Sequence, residues 1–202
     1  PLVLVAAATS VVNTPDEFAA LLRTTTHPVF VAVGSGAHRI TFEYLMLKTA
    51  GNKQLVKSIH FNGPAQALNS VASTAGGTEF GIMPLAIARP LIEAGRVKAI
   101  GITGDRKIAQ MPNVPLLRKI APGINVFAAW NLVLPPRTDR VIVDYYADLF
   151  ARAINTVEYQ EWMDQNLVFV DSRELDPDGL RQHAQELRRT FLHLANQINP
   201  NE

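Results

Sequence analysis

The sequence predicts an α/β protein built on a mostly parallel sheet, followed by a mainly helical C-terminal portion. Three observations predict it. Short β-branched runs alternate with helix-length stretches up to residue 121, the rhythm of βαβ units. Glycines stand where most of the helical stretches should stop, at Gly51, Gly76, Gly95 and Gly123. Beyond Pro135-Pro136 the strand signals thin out and one-sided apolar stripes take over. Right-handed crossovers would place helices on both faces of the sheet.

Composition sets the bounds. Of the 202 residues, 48% are hydrophobic and 18% charged, enough to bury a core in one large domain or two small ones. Lys and Arg number 19 against 18 Asp and Glu, with no basic block, so no nucleic acid partner is expected. The absence of cysteine removes disulfides, thiol nucleophiles and Cys-ligated zinc. No apolar run approaches the ~20 residues that span a bilayer. Residues 1–8 are apolar but lack a basic leader, and read as a strand rather than a signal peptide.

The elements follow in order. Residues 2–5 form a buried-strand candidate. Thr14-Pro15-Asp16-Glu17 is a capping box with Pro at the first helical position, so residues 15–24 should be helical. Val29–Val33 is the clearest strand, and it stops at Gly34-Ser35-Gly36. A helix is expected over 38–50, a strand over 56–61, a turn at Asn62-Gly63-Pro64 and a helix over 65–75. Residues 79–83 read as a strand, 85–94 as a helix interrupted by Pro90, 97–103 as a strand and 115–121 as a short helix. In the second portion Thr138 should cap a helix whose stripe is Ile142, Tyr145, Tyr146, Leu149, Phe150 and Ala153. A shorter helix over 157–165 and a strand over 167–170 should follow. The last helix, from Asp176-Pro177, places Leu180, Ala184, Leu187, Phe191, Leu194 and Ile198 at alternating gaps of four and three. That run is too short for a coiled coil and should dock on a core. The domain boundary is expected near residues 125–136.

One helix start stands out. Gly34-Ser35-Gly36 follows a strand and opens a helix, where unpaired amides and the helix dipole favour an anion. A dinucleotide fingerprint would need glycine at Arg39, and Walker A is absent. His38 and Arg39 place cations in the first turn, each opposing the dipole by a few tenths to ~1 kcal/mol. A bound carboxylate would turn that opposition into charge-assisted hydrogen bonds. The plainer alternative is that both side chains face solvent or pair with an acid elsewhere. Asn62-Gly63-Pro64 and the loop after Met83 should share the same sheet edge, making three loops of a half-pocket.

Catalytic patterns are poor. The histidines His27, His38, His60, His183 and His193 show no metal-ligand spacing, and no G-x-S-x-G, HExxH or paired-carboxylate motif occurs. No catalytic residue, metal or cofactor is assigned. Asp105-Arg106-Lys107 reads as a solvated loop, and Trp130 and Trp162 as buried anchors, with stacking on a ligand as the alternative.

Several runs resemble one family. Ala94-Gly95-Arg96-Val97-Lys98-Ala99-Ile100-Gly101-Ile102-Thr103, then Met111-Pro112-Asn113-Val114-Pro115 and Ala121-Pro122-Gly123, look like the tripartite tricarboxylate transporter receptors, the Bug family of periplasmic solute-binding proteins. Phe61-Asn62-Gly63-Pro64-Ala65-Gln66-Ala67-Leu68, Gly34-Ser35-Gly36 and residues 125–135 resemble further family stretches. Order and spacing, rather than any single motif, support the likeness, which runs from Pro1 to the last helix.

The resemblance implies a type II periplasmic binding protein fold, a parallel-rich sheet with flanking helices, and no enzyme activity. The implied function is capture of a small carboxylate in the periplasm for the membrane components of a tripartite transporter. It implies a second lobe over 6–125, hinge-crossing segments at 1–5 and 126–134, and the C-terminal part of the first lobe over 135–202. The ligand residues would be Gly34, Ser35, Gly36, Ala37, His38, Arg39, Phe61, Asn62, Gly63, Met83 and Pro84. It also implies that the family's N-terminal third, with its signal peptide and half the cleft, is missing. The family's hydroxyl residues align with Ala37, His38 and Arg39, and a frequent Asp aligns with Met83; both changes favour a purely anionic ligand. The sensor domain of a transcription regulator, an α/β enzyme with an oxyanion cradle, and a truncated module that forms homodimers stay open as alternatives.

Overall fold

The alternating apolar runs fold into a five-stranded sheet in the order β3-β2-β4-β1-β5. A computed structural model describes residues 1–73, 77–127, 131–170 and 175–198. The strands are β1 (Leu2–Ala7), β2 (Val29–Val33), β3 (Val56–His60), β4 (Phe80–Pro84) and β5 (Val97–Ile102). Between them lie α1 (Pro15–Thr24), α2 (Gly36–Lys48), α3 (Pro64–Ala72) and α4 (Leu85–Glu93). β2 runs parallel to β3 and to β4, as the βαβ rhythm predicts. β1 is antiparallel to both β4 and β5. Four strands therefore point one way and β1 alone reverses, so the parallel-rich sheet is mixed in its pairing.

Local chemistry explains the element ends. At α1 the Thr14 hydroxyl accepts from the Glu17 amide at 3.2 Å, while the Glu17 carboxylate accepts from the amides of Asn13 at 2.7 Å and Thr14 at 3.2 Å. Phe18 on the same helix meets Phe80 of β4 edge-on, with ring centroids 5.0 Å apart. Such a pair adds about 0.5–1.5 kcal/mol to its area burial. β1 is the core strand: Leu2, Val3, Leu4, Val5 and Ala6 are fully buried.

Other ends differ from the sequence expectation. α2 begins at Gly36, ahead of residue 38, because the Ser35 hydroxyl accepts from the His38 amide and caps it there. Residues 115–121 supply only a 3₁₀ turn, Leu117–Lys119. The Gly76 stop expected for α3 lies outside the described residues, as does Trp130.

Thr103, just past β5, joins two passing segments. Its buried hydroxyl accepts from the Leu2 amide at 2.9 Å and donates to the Val126 carbonyl at 2.6 Å, and its own amide donates to the Leu2 carbonyl. The start of β1 and the stretch leading out at Val126 are thus tied at one atom.

The chain divides into two compact units, residues 1–128 with the chain end from Gln197, and residues 129–196. The second unit holds α5 (Arg140–Ile154), α6 (Val157–Asn166) and most of α7 (Pro177–Ile198). Asp139, not Thr138, caps α5, its carboxylate accepting from the Val141 amide; the Thr138 hydroxyl donates to Pro135 instead. Residues 167–170 are not a strand. Leu167 turns left-handed to cap α6, and its amide and that of Val168 both donate to Met163, which takes them from any ladder. The α5 stripe does not sink into a core: Ile142, Tyr145, Tyr146, Leu149 and Phe150 stay 41–59% exposed. On α7 only Leu194 of the predicted stripe is buried. Among the described residues no helix is long and apolar enough to cross a membrane.

Candidate functional site

β2, β3 and β4 end on one edge of the sheet, and α2, α3 and α4 start there. The loops between them touch. A Cβ on Gly34 would stand 2.4 Å from the Gly63 carbonyl carbon and 2.6 Å from Pro64 N, so only glycine lets the β2–α2 loop lie on the β3–α3 loop. Gly63 is glycine for another reason. Its φ of 107° and ψ of 163° fall where side-chain-bearing residues are essentially not found.

Each helix start is rich in donors. The amides of Gly36 and Ala37 head α2, where no intrahelical carbonyl can reach them. α3 and α4 have no side-chain cap at all, and the first turns of α2, α3 and α4 contain no acid. One α4 amide is taken, since Leu85 donates to the Pro1 carbonyl at 3.1 Å. Asn62 is exposed, and its amide donates to the Gln66 side chain at 3.2 Å, while Phe61 is half-buried.

His38 departs from its expected role as a cation. It is 3% exposed, and its Nδ1 accepts from the Gly34 amide at 3.2 Å. Burial first, and the nearby His60 second, lower its pKa from 6.5 to about 4. The ring is neutral at pH 7, and the Gly34 amide is already engaged and not free for an anion. Arg39 is exposed, with no side-chain hydrogen bond or ion pair among the described residues. Met83 is fully buried, with its methyl group beside Gly81, and Pro84 is buried as well. Met83 brings no accessible side chain to the edge, because an apolar residue at that position turns into the core.

A cavity of about 450 Å³ opens elsewhere, between Ala7, Thr9, Ala72, Thr78, Gly95 and Arg96. It lies where α3 and α4 end, at the opposite edge. Helix carbonyl ends carry partial negative charge, so this cavity suits an anion less than the donor-rich edge does. Among the described residues no cluster of three or more His, Cys, Asp or Glu could hold a metal ion. Trp162 is 47% exposed beside Tyr159, not a buried anchor. Arg106 pairs loosely with the adjacent Asp105, both exposed.

Comparison with known proteins gives the family. Residues 1–194 match the model described as the tripartite tricarboxylate transporter family receptor. A protein encoded in the gbd 5′ region of Cupriavidus necator is 26% identical over 160 residues, covering 78% of this chain and 47% of its own. Three solved structures are similar: an R. palustris protein with adipate (TM-score 0.84, 15% identity), the periplasmic binding protein BugD (0.82, 18%) and MatC from Rhodopseudomonas palustris with bound malate (0.80, 21%). Each match covers 97–98% of this chain and 65–66% of the other. The chain thus spans about half the length of the curated relative and about two thirds of the solved structures.

Proposed function

The chain belongs to the tripartite tricarboxylate transporter receptor family, and on that premise we propose that it is the carboxylate-binding part of a periplasmic receptor. It captures a small carboxylate and presents it to the membrane components of a tripartite transporter. One observation supports the reading above all: three helix starts meet at one sheet edge with free amides, an exposed Arg39 and no acid in their first turns. Donors without acceptors suit a carboxylate and repel an ammonium group. The family is one of receptors, which removes the ground for the enzyme and regulator alternatives. Binding residues are Gly36, Ala37, His38 and Arg39, with the loops at Asn62 and Pro84 beside them.

Adipate and malate, each present in a relative, are dicarboxylates and serve as first probes. Titration calorimetry on this chain with mono-, di- and tricarboxylates should give heat with at least one. Arg39→Ala should weaken that binding about 10- to 100-fold, the worth of a hydrogen bond to a charged group. Absence of heat from every acid, or an unaffected Arg39→Ala, would contradict the proposal.

A further inference from the structure

We infer that His38 sets the polarity of the bound group: its imidazole, locked by the Gly34 amide, presents Nε2–H to a ligand carboxylate. The inference rests on the carboxylate reading above and adds to it a residue, a tautomer and a direction. His38 is 97% buried by its 3% exposure, so the ring lies within the loop at the start of α2 and not in solvent. Gly34 N–H donates to Nδ1, so that nitrogen holds its lone pair and the neutral ring carries its hydrogen on Nε2. Among the described residues Nε2 has no partner, yet it is not sealed from solvent. The same helix start therefore holds a buried side chain with one unpaired donor and, at Gly36 and Ala37, amides that no intrahelical carbonyl reaches.

The surroundings keep the ring in this form. His60, at the end of β3, is the titratable group that acts on it, and Arg39 on the same helix is exposed. The stretches after β3 and β4, Phe61-Asn62-Gly63 and Leu85-Ala86, contribute no titratable side chain. With its pKa near 4, the imidazole stays neutral through the range in which an ordinary histidine changes charge. Arg39 supplies the charge and His38 the direction. A fixed Nε2–H facing a ligand ammonium would leave two donors opposed, so amino groups are rejected at this position.

The test uses the chain labelled with ¹⁵N-histidine, followed by NMR from pH 5 to 8 and then titrated with succinate and with adipate. The expected result is one histidine that stays neutral throughout, with the Nε2–H tautomer. Its Nε2 resonance should move on carboxylate addition while Nδ1 stays in place. His38→Leu should bind carboxylate about 10- to 100-fold more weakly, and His38→Gln, which keeps a donor, should recover part of the loss. A His38 that titrates near 6.5, or carries its hydrogen on Nδ1, overturns the inference without needing any variant to fold. Calorimetric binding with an unmoved Nε2 overturns it too, while leaving the carboxylate site standing. No heat and no shift with any acid removes both.

Discussion

Where α2 and α3 begin, one histidine and two glycines set the geometry of the candidate site, and each does so through its surroundings. Gly34 is needed for space and Gly63 for backbone conformation. The helix start at Gly34-Ser35-Gly36 was readable because glycine and serine between a strand and an apolar run have few other uses. The state of His38 was not readable. Sequence position puts an ionisable ring in the first turn, but burial and the nearby His60, both set by the fold, make it neutral. Its lowered pKa has a signed consequence for stability. Below pH 6.5 the unfolded chain takes up a proton that folded His38 refuses until about pH 4. His38 therefore withdraws stability as pH falls through that window, by up to about 1.4 kcal/mol per pH unit. In denaturant titrations, the stability of the wild type relative to His38→Gln should fall steadily from pH 7 to pH 4.5. A difference that stays flat or rises would show a ring that titrates alike in both states.

Among the elements, α1 was readable almost to the residue, because capping box and Pro are local signals. The reversal of β1 was not. Its five fully buried apolar residues look the same read in either direction, and only its neighbours β4 and β5 decide which way it runs. The false strand at 167–170 has the same origin: an apolar run met a helix end that claimed the Leu167 and Val168 amides. Thr103 was read only as the end of a strand, yet its hydroxyl joins the Leu2 amide to the Val126 carbonyl. Thr103→Val keeps the shape and strands both partners. Thermal or denaturant unfolding should show a loss of about 2–6 kcal/mol, from two buried polar groups at about 1–3 kcal/mol each. A change below about 0.5 kcal/mol would mean that the hydroxyl bridge is not made.

Over the whole chain, the α/β class and the family were readable because the order and spacing of many weak motifs accumulate. The fate of the apolar stripes was not, since periodicity shows which face is apolar but not whether anything covers it. The α5 face, largely exposed, is the plainest case. The sequence places the candidate ligand loops at the carboxyl ends of the parallel strands but gives no sign of the cavity at the other edge, and the two edges differ in chemistry. One gathers helix starts and donors, the other helix ends around a cavity at Arg96 and Thr78. Amide NMR of the chain during a malate and adipate titration distinguishes them most directly. With a carboxylate at the helix starts, shifts concentrate at Gly36, Ala37, Ala65, Gln66 and Ala86; shifts concentrated at Thr78, Gly95 and Arg96 would place the ligand at the other edge and contradict the proposed site.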